Sequence, residues 1–548
     1  MTTQQHTIIA AVLAIIGAYL IRLTAVEIQP SPEGYIAEGG RAMMVQGPMA
    51  DVAPYSSGGL TTGCIPPLVP ATISVLLQSL GDSPIAVRLL SIICVGISLL
   101  LIYGIARQVL PHKGALQALL ITGFSLPWYI YGRQANTDIV GVCFVLAGIV
   151  LLERLAADRT MIERSWIVLG FVGLCALAGS ASIAAAALLA VCALLYFAVT
   201  GSFIYVACAI IGLAAASPYI VYMFSVYGNQ VLLASSINVL PSEPSTLHTG
   251  PLDVVAYAVL GSPAIVVSLI WVLSSVMRRR SLTLQLPRLI RIVALIFLPL
   301  LILGALRGIR AYEAMIFIVP FGAILSVYAM EQFRQREHPQ LLLIGLAATF
   351  VASVSSMLVF SFLAGGTIKL FGVMIVTAYG LYMLVTVTRG RRYKNPRLLA
   401  VHTYQPVLNA SIATVGVLAV ISMLFGSPYT IEGARQIAYE LKEHALLDPT
   451  YTYVYHKHSP TSGVNPQLEW YMRRMETEGM MSHEAQRIEM GDEVIRKESL
   501  DLIMGVKSIV YYHPENDRRH VTDVHELLAP LYDQQVVTKD YTLFTLKR

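Results

Sequence analysis

Apolar residues run through this chain in blocks of about 20, the length a helix needs to cross the hydrocarbon core of a bilayer. The blocks predict spans at 7–26, 84–107, 113–132, 138–154, 165–181, 183–200, 203–223, 251–276, 290–306, 312–330, 341–363, 367–388 and 407–426, thirteen in all. Trp166 to Tyr222 carries no charge, and it divides into three helices if Gly179-Ser180 and Gly201-Ser202 break it. The first block, Thr7 to Val26, is longer than a signal-peptide core and has no small-residue cleavage site after it, so it reads as an uncleaved span.

Between the first two blocks the pattern changes. Residues 27–83 are too many for a plain connector. Two helices lying along the membrane surface are expected there. One runs from Gly34 to Gln46, with Tyr35, Ile36, Met43 and Met44 against Glu38 and Arg41; the other follows Pro66-Pro67, over Leu68 to Leu77. After Gly426 the periodicity changes again. Tyr451–Tyr455, Val506–Tyr512 and Tyr541–Leu546 read as strands, and Ile431–Glu443, Asn465–Glu478 and Val521–Leu531 as helices. The expected fold class is therefore an α-helical polytopic membrane protein over 1–426, with a small α/β domain over 427–548.

Composition supports the membrane reading. The chain is 56% hydrophobic and 13% charged, against about 25% charged in an average soluble protein. Its net charge of +5 does not point to nucleic acid, because the basic residues stand in short clusters between apolar blocks. Those clusters orient the chain. With the N-terminus in the cytoplasm, the cytoplasmic loops carry Arg107 and Lys113; Arg154, Arg159 and Arg164; Arg278 to Arg280 with Arg288; Arg334 and Arg336; and Arg389 to Arg397. The opposite loops carry only Arg41, Arg133, Arg307, Arg310 and Lys369, as the positive-inside rule requires. Loop 27–83, the loop from Phe224 to Gly250 and the C-terminal region then lie on the extracytoplasmic side. A multi-pass protein of the cytoplasmic (inner) membrane is expected.

Five of the six cysteines fall inside apolar blocks, and no Cys-x-x-Cys pair occurs, so they read as small buried hydrophobes. His456 and His458 would share a strand face, but no third ligand is spaced to complete a metal set.

Ionisable residues at the outer ends of spans need a reason. Glu33 and Glu38 follow the first span, and Arg88 opens the second. Arg133 and Asp138 flank an outer turn, and Arg307, Arg310, Tyr312 and Glu313 stand between the ninth and tenth spans. Plain structural roles exist for each. Asp138 could cap its helix, with Arg133 as its ion-pair partner, and Arg307 and Arg310 could snorkel. Glu38 and Arg41, one turn apart, read as a surface pair. The functional reading comes from coincidence, because carboxylates and arginines share the face that should be poor in arginine.

These residues stand in an order that resembles the GT-C glycosyltransferases, in the branch of protein O-mannosyltransferases and aminoarabinose lipid A transferases. Pro32-Glu33-Gly34-Tyr35-Ile36-Ala37 occupies the place of that branch's acidic motif, and Ile65-Pro66-Pro67-Leu68 that of its basic residue before Pro-Pro-Leu. Arg88 matches the arginine that opens the second span, and Tyr131 to Asp138 matches a Tyr-x-Arg-x-x-x-x-Asp turn. Arg310-Ala311-Tyr312 through Val319-Pro320 matches a late Arg-x-Tyr segment leading into a helix with a proline. The resemblance covers nearly the whole chain. It departs at Pro32, where relatives carry an acid, and at Ile65, where they carry a base.

The resemblance implies a sugar donor on a polyprenyl phosphate, other membrane lipids as surroundings, and an acceptor arriving at the extracytoplasmic face. A carboxylate must then take the acceptor hydroxyl proton. The leaving phosphate needs positive charge, which arginine supplies through its planar fork. Glu33 and Asp138 are the candidate catalytic residues, Arg310, Arg307 and Arg133 the candidate phosphate-binding residues, and Tyr35, Arg88, Tyr312 and Glu313 the candidate cavity residues. No cofactor is required, although a divalent cation between Glu33 and Asp138 is compatible with the residues. Two other readings stay open: a catalytically silent relative serving as a binding or assembly subunit, and a transporter of lipid-linked sugars.

Overall fold

In the computed structural model the described residues are 3–21, 23–24, 27–28, 33–46, 66–157, 160–227, 262, 264–277, 286–307, 311–335, 434–447, 453–456, 487–490, 507–512, 528–538 and 541–547, with isolated positions among 344–413 and at 471. The chain packs as two units. One comprises residues 1–21, 90–226 and 235–428; the other comprises 22–89, 227–234 and 429–548.

The first unit is a helical bundle. It contains α1 (Thr3–Leu20), most of α4 (Pro84–Arg107), α5 (His112–Gly123), α6 (Leu126–Tyr131), α7 (Thr137–Leu155), α8 (Met161–Ala181), α9 (Ile183–Thr200) and α10 (Ile204–Tyr227). It also contains α11 (Ile265–Met277), α12 (Arg288–Arg307) and α13 (Ala311–Gln335). Among the described residues, five helical stretches are long and apolar enough to cross a membrane: Pro84–Arg107, Met161–Ala181, Ile183–Thr200, Ile204–Tyr222 and Met315–Gln332. The expected spans at 341–363, 367–388 and 407–426 lie almost wholly outside the described residues.

Two expectations are corrected. The span expected at 113–132 is two helices, α5 and α6. Pro127, at the start of α6, has no N–H to continue the α5 ladder, and Ser125 turns the chain by donating its hydroxyl to the Thr122 carbonyl at 2.7 Å. The spans expected at 165–181 and 183–200 end and begin as expected, at Ala181 and Ile183, but the residue that breaks them is Ser182 rather than the Gly179-Ser180 pair. Both residues of that pair are helical, and Gly179 lies against Ala216 of α10, which a Cβ would approach to 2.8 Å. Ser182 accepts from the Ala185 N–H and so caps α9, which ends at Gly201 with φ 74° in the left-handed region.

Helix α7 is packed on α8, α9 and α13. Small residues on α7 admit α9 closely: a Cβ on Gly141 would lie 2.8 Å from the Ala185 Cβ and 2.9 Å from the Ser182 Cβ. Both neighbours are short and cannot swing aside. Gly141→Val is therefore expected to force the helices apart and lower stability by about 1–3 kcal/mol, read as the thermal midpoint in detergent. The cysteines Cys94, Cys143, Cys175, Cys192 and Cys208 are all buried and free in this bundle.

In the second unit α2 (Tyr35–Gln46) packs on α3 (Leu68–Leu80), the two helices expected after the first span. Their approach is close at Gly40, where a Cβ would stand 2.6 Å from Ile73 Cγ2. Helix α3 buries Val69, Ile73 and Leu77, spaced every four residues, while Val75 and Leu80 are exposed. The C-terminal region contributes α14 (Ala434–Leu447) and strands β1 (Tyr453–His456), β2 (Arg487–Met490), β3 (Ser508–Tyr512), β4 (Tyr532–Val537) and β5 (Tyr541–Leu546). The strands form one sheet in the order β2-β1-β3-β5-β4. The β2-β1-β3 pairings are parallel, and β3-β5-β4 are antiparallel, with a bulge at Gln534/Val536. Strands β2 and β4 were not expected from the alternation. Helix α14 buries Ala434, Ile437, Ala438 and Leu441, an i, i+3, i+4, i+7 stripe, and packs on β5.

Candidate functional site

The second unit builds a buried charged site around the start of α4. Arg88, in the second turn of that helix, is 1% exposed, and Glu33, just before α2, is 0% exposed. Their pairing is bidentate. Arg88 Nε donates to Glu33 Oε1 at 2.6 Å, and Nη2 donates to Oε2 at 2.8 Å. The same guanidinium holds the chain leading to Glu33, donating through Nη1 to the Leu23 carbonyl at 2.5 Å and through Nη2 to the Glu27 carbonyl at 2.7 Å. Arginine alone offers a planar fork able to reach four acceptors at once. Arg88 therefore acts as the clamp that positions Glu33.

A second cluster lies in the same unit. Arg41 Nη1 donates to Glu38 Oε1 at 2.9 Å, and Nη2 donates to Asp82 Oδ2 at 2.6 Å. Glu38 and Arg41 are 2% and 3% exposed, so the expected surface pair is a buried one. Their spacing along α2 makes them neighbours, but burial depends on what covers the helix. Gly40, next to Arg41, is where α3 comes close.

The first unit places the other candidate residues. Asp138 is buried in the first turn of α7 and is not its cap. The cap is Asn136, whose Oδ1 accepts from the Asp138 and Ile139 N–H groups at 2.8 and 3.2 Å. The Asp138 carboxylate accepts instead from Ser182 Oγ at 2.9 Å. Arg133 donates through Nη1 to the Tyr129 hydroxyl at 3.0 Å and through Nη2 to the Ile21 carbonyl, with its guanidinium 5.2 Å from the centre of the Tyr129 ring. Tyr129 in turn donates to the Ala18 carbonyl. Arg133 thus fixes the end of α1 to the α6 turn.

A third buried group, at the last turn of α7, escaped sequence reading. Glu153 accepts from Arg288 Nη2 at 2.7 Å and from the Tyr196 hydroxyl at 2.9 Å. Arg288 reads from sequence only as one of the positive-inside charges, and no motif marks its partner.

Arg307 ends α12, and Tyr312 and Glu313 lie in the first turn of α13. Tyr35 opens α2, and Arg310 lies outside the described residues. Among the described residues, no three histidine, cysteine, aspartate or glutamate side chains are grouped to hold a metal ion.

Solved structures of two other proteins share this fold. ArnT from Cupriavidus metallidurans, in its apo state, superposes with a TM-score of 0.61 at 14% identity, covering 99% of this chain and 98% of that one. The same protein bound to undecaprenyl phosphate gives 0.61 at 13% identity, with the same coverage. The chain has the fold of ArnT. The oligosaccharyltransferase of Archaeoglobus fulgidus, in the apo form, shares the fold at a TM-score of 0.56 and 11% identity, over 93% of this chain and 69% of that one. Residues 65–222 also match the family described as dolichyl-phosphate-mannose-protein mannosyltransferase. That match begins at Ile65 and takes in Arg88, Arg133 and Asp138. No curated protein matches the sequence.

Proposed function

We propose that this protein is a membrane glycosyltransferase that moves a sugar from a polyprenyl-phosphate donor to a lipid, glycan or protein acceptor at the extracytoplasmic face. The observation that carries the reading is a GT-C fold over 99% of the chain with a carboxylate, Glu33, held buried by Arg88 just after the first helix. The solved relative with undecaprenyl phosphate supports the donor class. The distribution of Arg and Lys between loops supports the orientation, with the N-terminus cytoplasmic and the C-terminal domain outside.

The chemistry assigns the roles. The acceptor hydroxyl oxygen attacks the anomeric carbon as the bond from that carbon to the donor phosphate oxygen breaks, and the electron pair leaves on the phosphate. One displacement inverts the anomeric centre. The acceptor proton passes to a carboxylate. Glu33 takes this role in our reading. Asp138 is the second candidate. Arginines at the late segment, Arg310 and Arg307, bind the phosphate, which needs fixed positive charge rather than a proton. Arg133, already engaged with Tyr129 and Ile21, contributes charge from a fixed place. Tyr35 and Arg88 are the candidate cavity residues of the Glu33 segment, and Tyr312 and Glu313 those of the late segment.

Mass spectrometry of lipids that co-purify with the protein tests the donor. Wild-type protein is expected to carry a polyprenyl phosphate, bare or glycosylated, and Arg310→Ala to lose most of it, by about tenfold or more for a charge-assisted phosphate contact. Bulk phospholipid alone in both samples contradicts the donor assignment.

A further inference from the structure

The segment that leads to Glu33 is held from two sides. Arg88 takes the Leu23 and Glu27 carbonyls. Residues more than four hundred positions away take the rest. The Tyr471 hydroxyl accepts from the Ile28 N–H at 3.0 Å, with both residues buried. Arg435, in the first turn of α14, donates through Nη2 to the Thr24 carbonyl at 3.3 Å, and its own N–H donates to Glu27 Oε2 at 3.4 Å. The Glu27 carboxylate therefore lies at the N-terminus of α14, where the helix leaves N–H groups without intrahelical acceptors and favours negative charge. The Arg435 guanidinium lies over the Tyr471 ring, 5.4 Å from its centre, joining the two holding residues. Burial, with the Glu27 charge second, holds the Tyr471 phenol above its usual range, so it stays neutral at working pH.

Two features separate this from ordinary docking of one region on another. The contacts converge on the six residues 23–28 that Arg88 also holds. Three of them, to Thr24, Ile28 and Glu27, involve the segment's backbone or the carboxylate at the head of α14, so they set the path of the chain. Arg88 holds the Leu23 and Glu27 carbonyls and the Glu33 carboxylate with one guanidinium, so a backbone fixed at Leu23, Thr24, Glu27 and Ile28 also fixes the group to which Glu33 is bound.

We propose that the C-terminal region is a positioning element of the catalytic site: Tyr471 and Arg435 brace segment 23–28 and so hold Glu33 in register with Arg88. The inference rests on the reading of Glu33 as the reacting carboxylate. It gives the C-terminal region a part in catalysis without direct contact with substrate.

Tyr471→Phe tests it, because the change removes the acceptor oxygen and keeps the ring under Arg435. Arg435→Ala removes the second tie. Each variant, in nanodiscs, is measured in two ways. Hydrogen–deuterium exchange is followed in peptides covering residues 23–36. Sugar release from undecaprenyl-phosphate-linked mannose is followed for kcat and KM. Loss of one buried hydrogen bond is expected to speed exchange at Ile28 by about fivefold, with faster exchange extending through Glu33. The kcat is expected to fall by a similar factor of about five, while KM for the donor stays within about twofold, since the donor contacts are intact. Unchanged exchange across 23–36, or faster exchange with wild-type kcat, overturns the proposal. If wild-type protein releases sugar from none of a panel of undecaprenyl-phosphate-linked hexoses, mannose included, the glycosyltransferase reading fails. The exchange of the Glu33 peptide still decides the brace, with faster exchange supporting it and unchanged exchange overturning it.

Discussion

Arg88→Met is expected to destabilise the protein by about 3–5 kcal/mol, the cost of leaving a buried charge without its partner. Methionine nearly fills the volume but supplies no donor. The Glu33 carboxylate, fully buried, would lose both of its bonds from the guanidinium, and the Leu23 and Glu27 carbonyls would each lose theirs. Arg88→Lys keeps the charge but offers a single nitrogen, which cannot span both Glu33 oxygens and two carbonyls. Its stability should fall between those of wild type and Arg88→Met. The double variant Glu33→Met/Arg88→Met removes both charges together, and replacing a whole buried pair by apolar residues is often nearly neutral. A double-mutant cycle on thermal or denaturant unfolding should therefore return a coupling of about 3 kcal/mol or more, since each single variant leaves a buried charge alone and the double leaves none. A loss below about 1 kcal/mol for Arg88→Met, the range of an exposed pair, would show that the clamp is not buried in the working protein.

The second large effect is on the reaction. Glu33→Gln is expected to lower sugar transfer by about 10²–10⁴-fold, because an amide cannot take the acceptor proton. The amide also turns an NH₂ toward one of the Arg88 donors, so a stability loss of about 1–3 kcal/mol accompanies it. The two effects separate in the assay. A folded, donor-binding protein with depressed kcat reports chemistry, whereas loss of donor binding reports collapse of the site. Asp138→Asn keeps an oxygen to accept from Ser182 Oγ and is expected to fall by less. If Asp138→Asn abolished transfer while Glu33→Gln retained it, the base would be Asp138. Full activity in both variants contradicts both assignments.

What could be read from sequence depended on the range of the interaction. Helices α4 and α9 begin and end where expected, at 84–107 and 183–200. Their limits are local signals: Pro84 starts one, Arg107 ends it, and Gly201 closes the other. The break between α5 and α6 was missed because apolar periodicity continues across Ser125 and Pro127. The break between 165–181 and 183–200 stands where expected, but it was assigned to Gly179-Ser180 rather than Ser182, because a helical glycine used for close packing looks the same in sequence as one used to stop a helix. Arg88 stood out because a charge opening an apolar run is anomalous. Its partner was in view as Glu33, but the pairing across 55 residues was not. Ser182, Asp82, Arg435 and Tyr471 gave no signal at all. Each is an ordinary polar residue whose role depends on a partner 41 to 443 positions away. Arg288 shows the converse. Its charge was correctly noted, and its use as the partner of buried Glu153 appears only when α7 and α12 are folded.

The most direct test of the central claim is sugar release from undecaprenyl-phosphate-linked mannose and related hexose donors by the purified protein in nanodiscs, with Glu33→Gln beside it. The account predicts turnover of at least one donor by wild-type protein, with inversion at the anomeric carbon, and a loss of about 10²-fold or more in Glu33→Gln at unchanged donor binding. Donor binding without turnover, equal in both proteins, would contradict it and would make this GT-C fold a binding subunit rather than an enzyme.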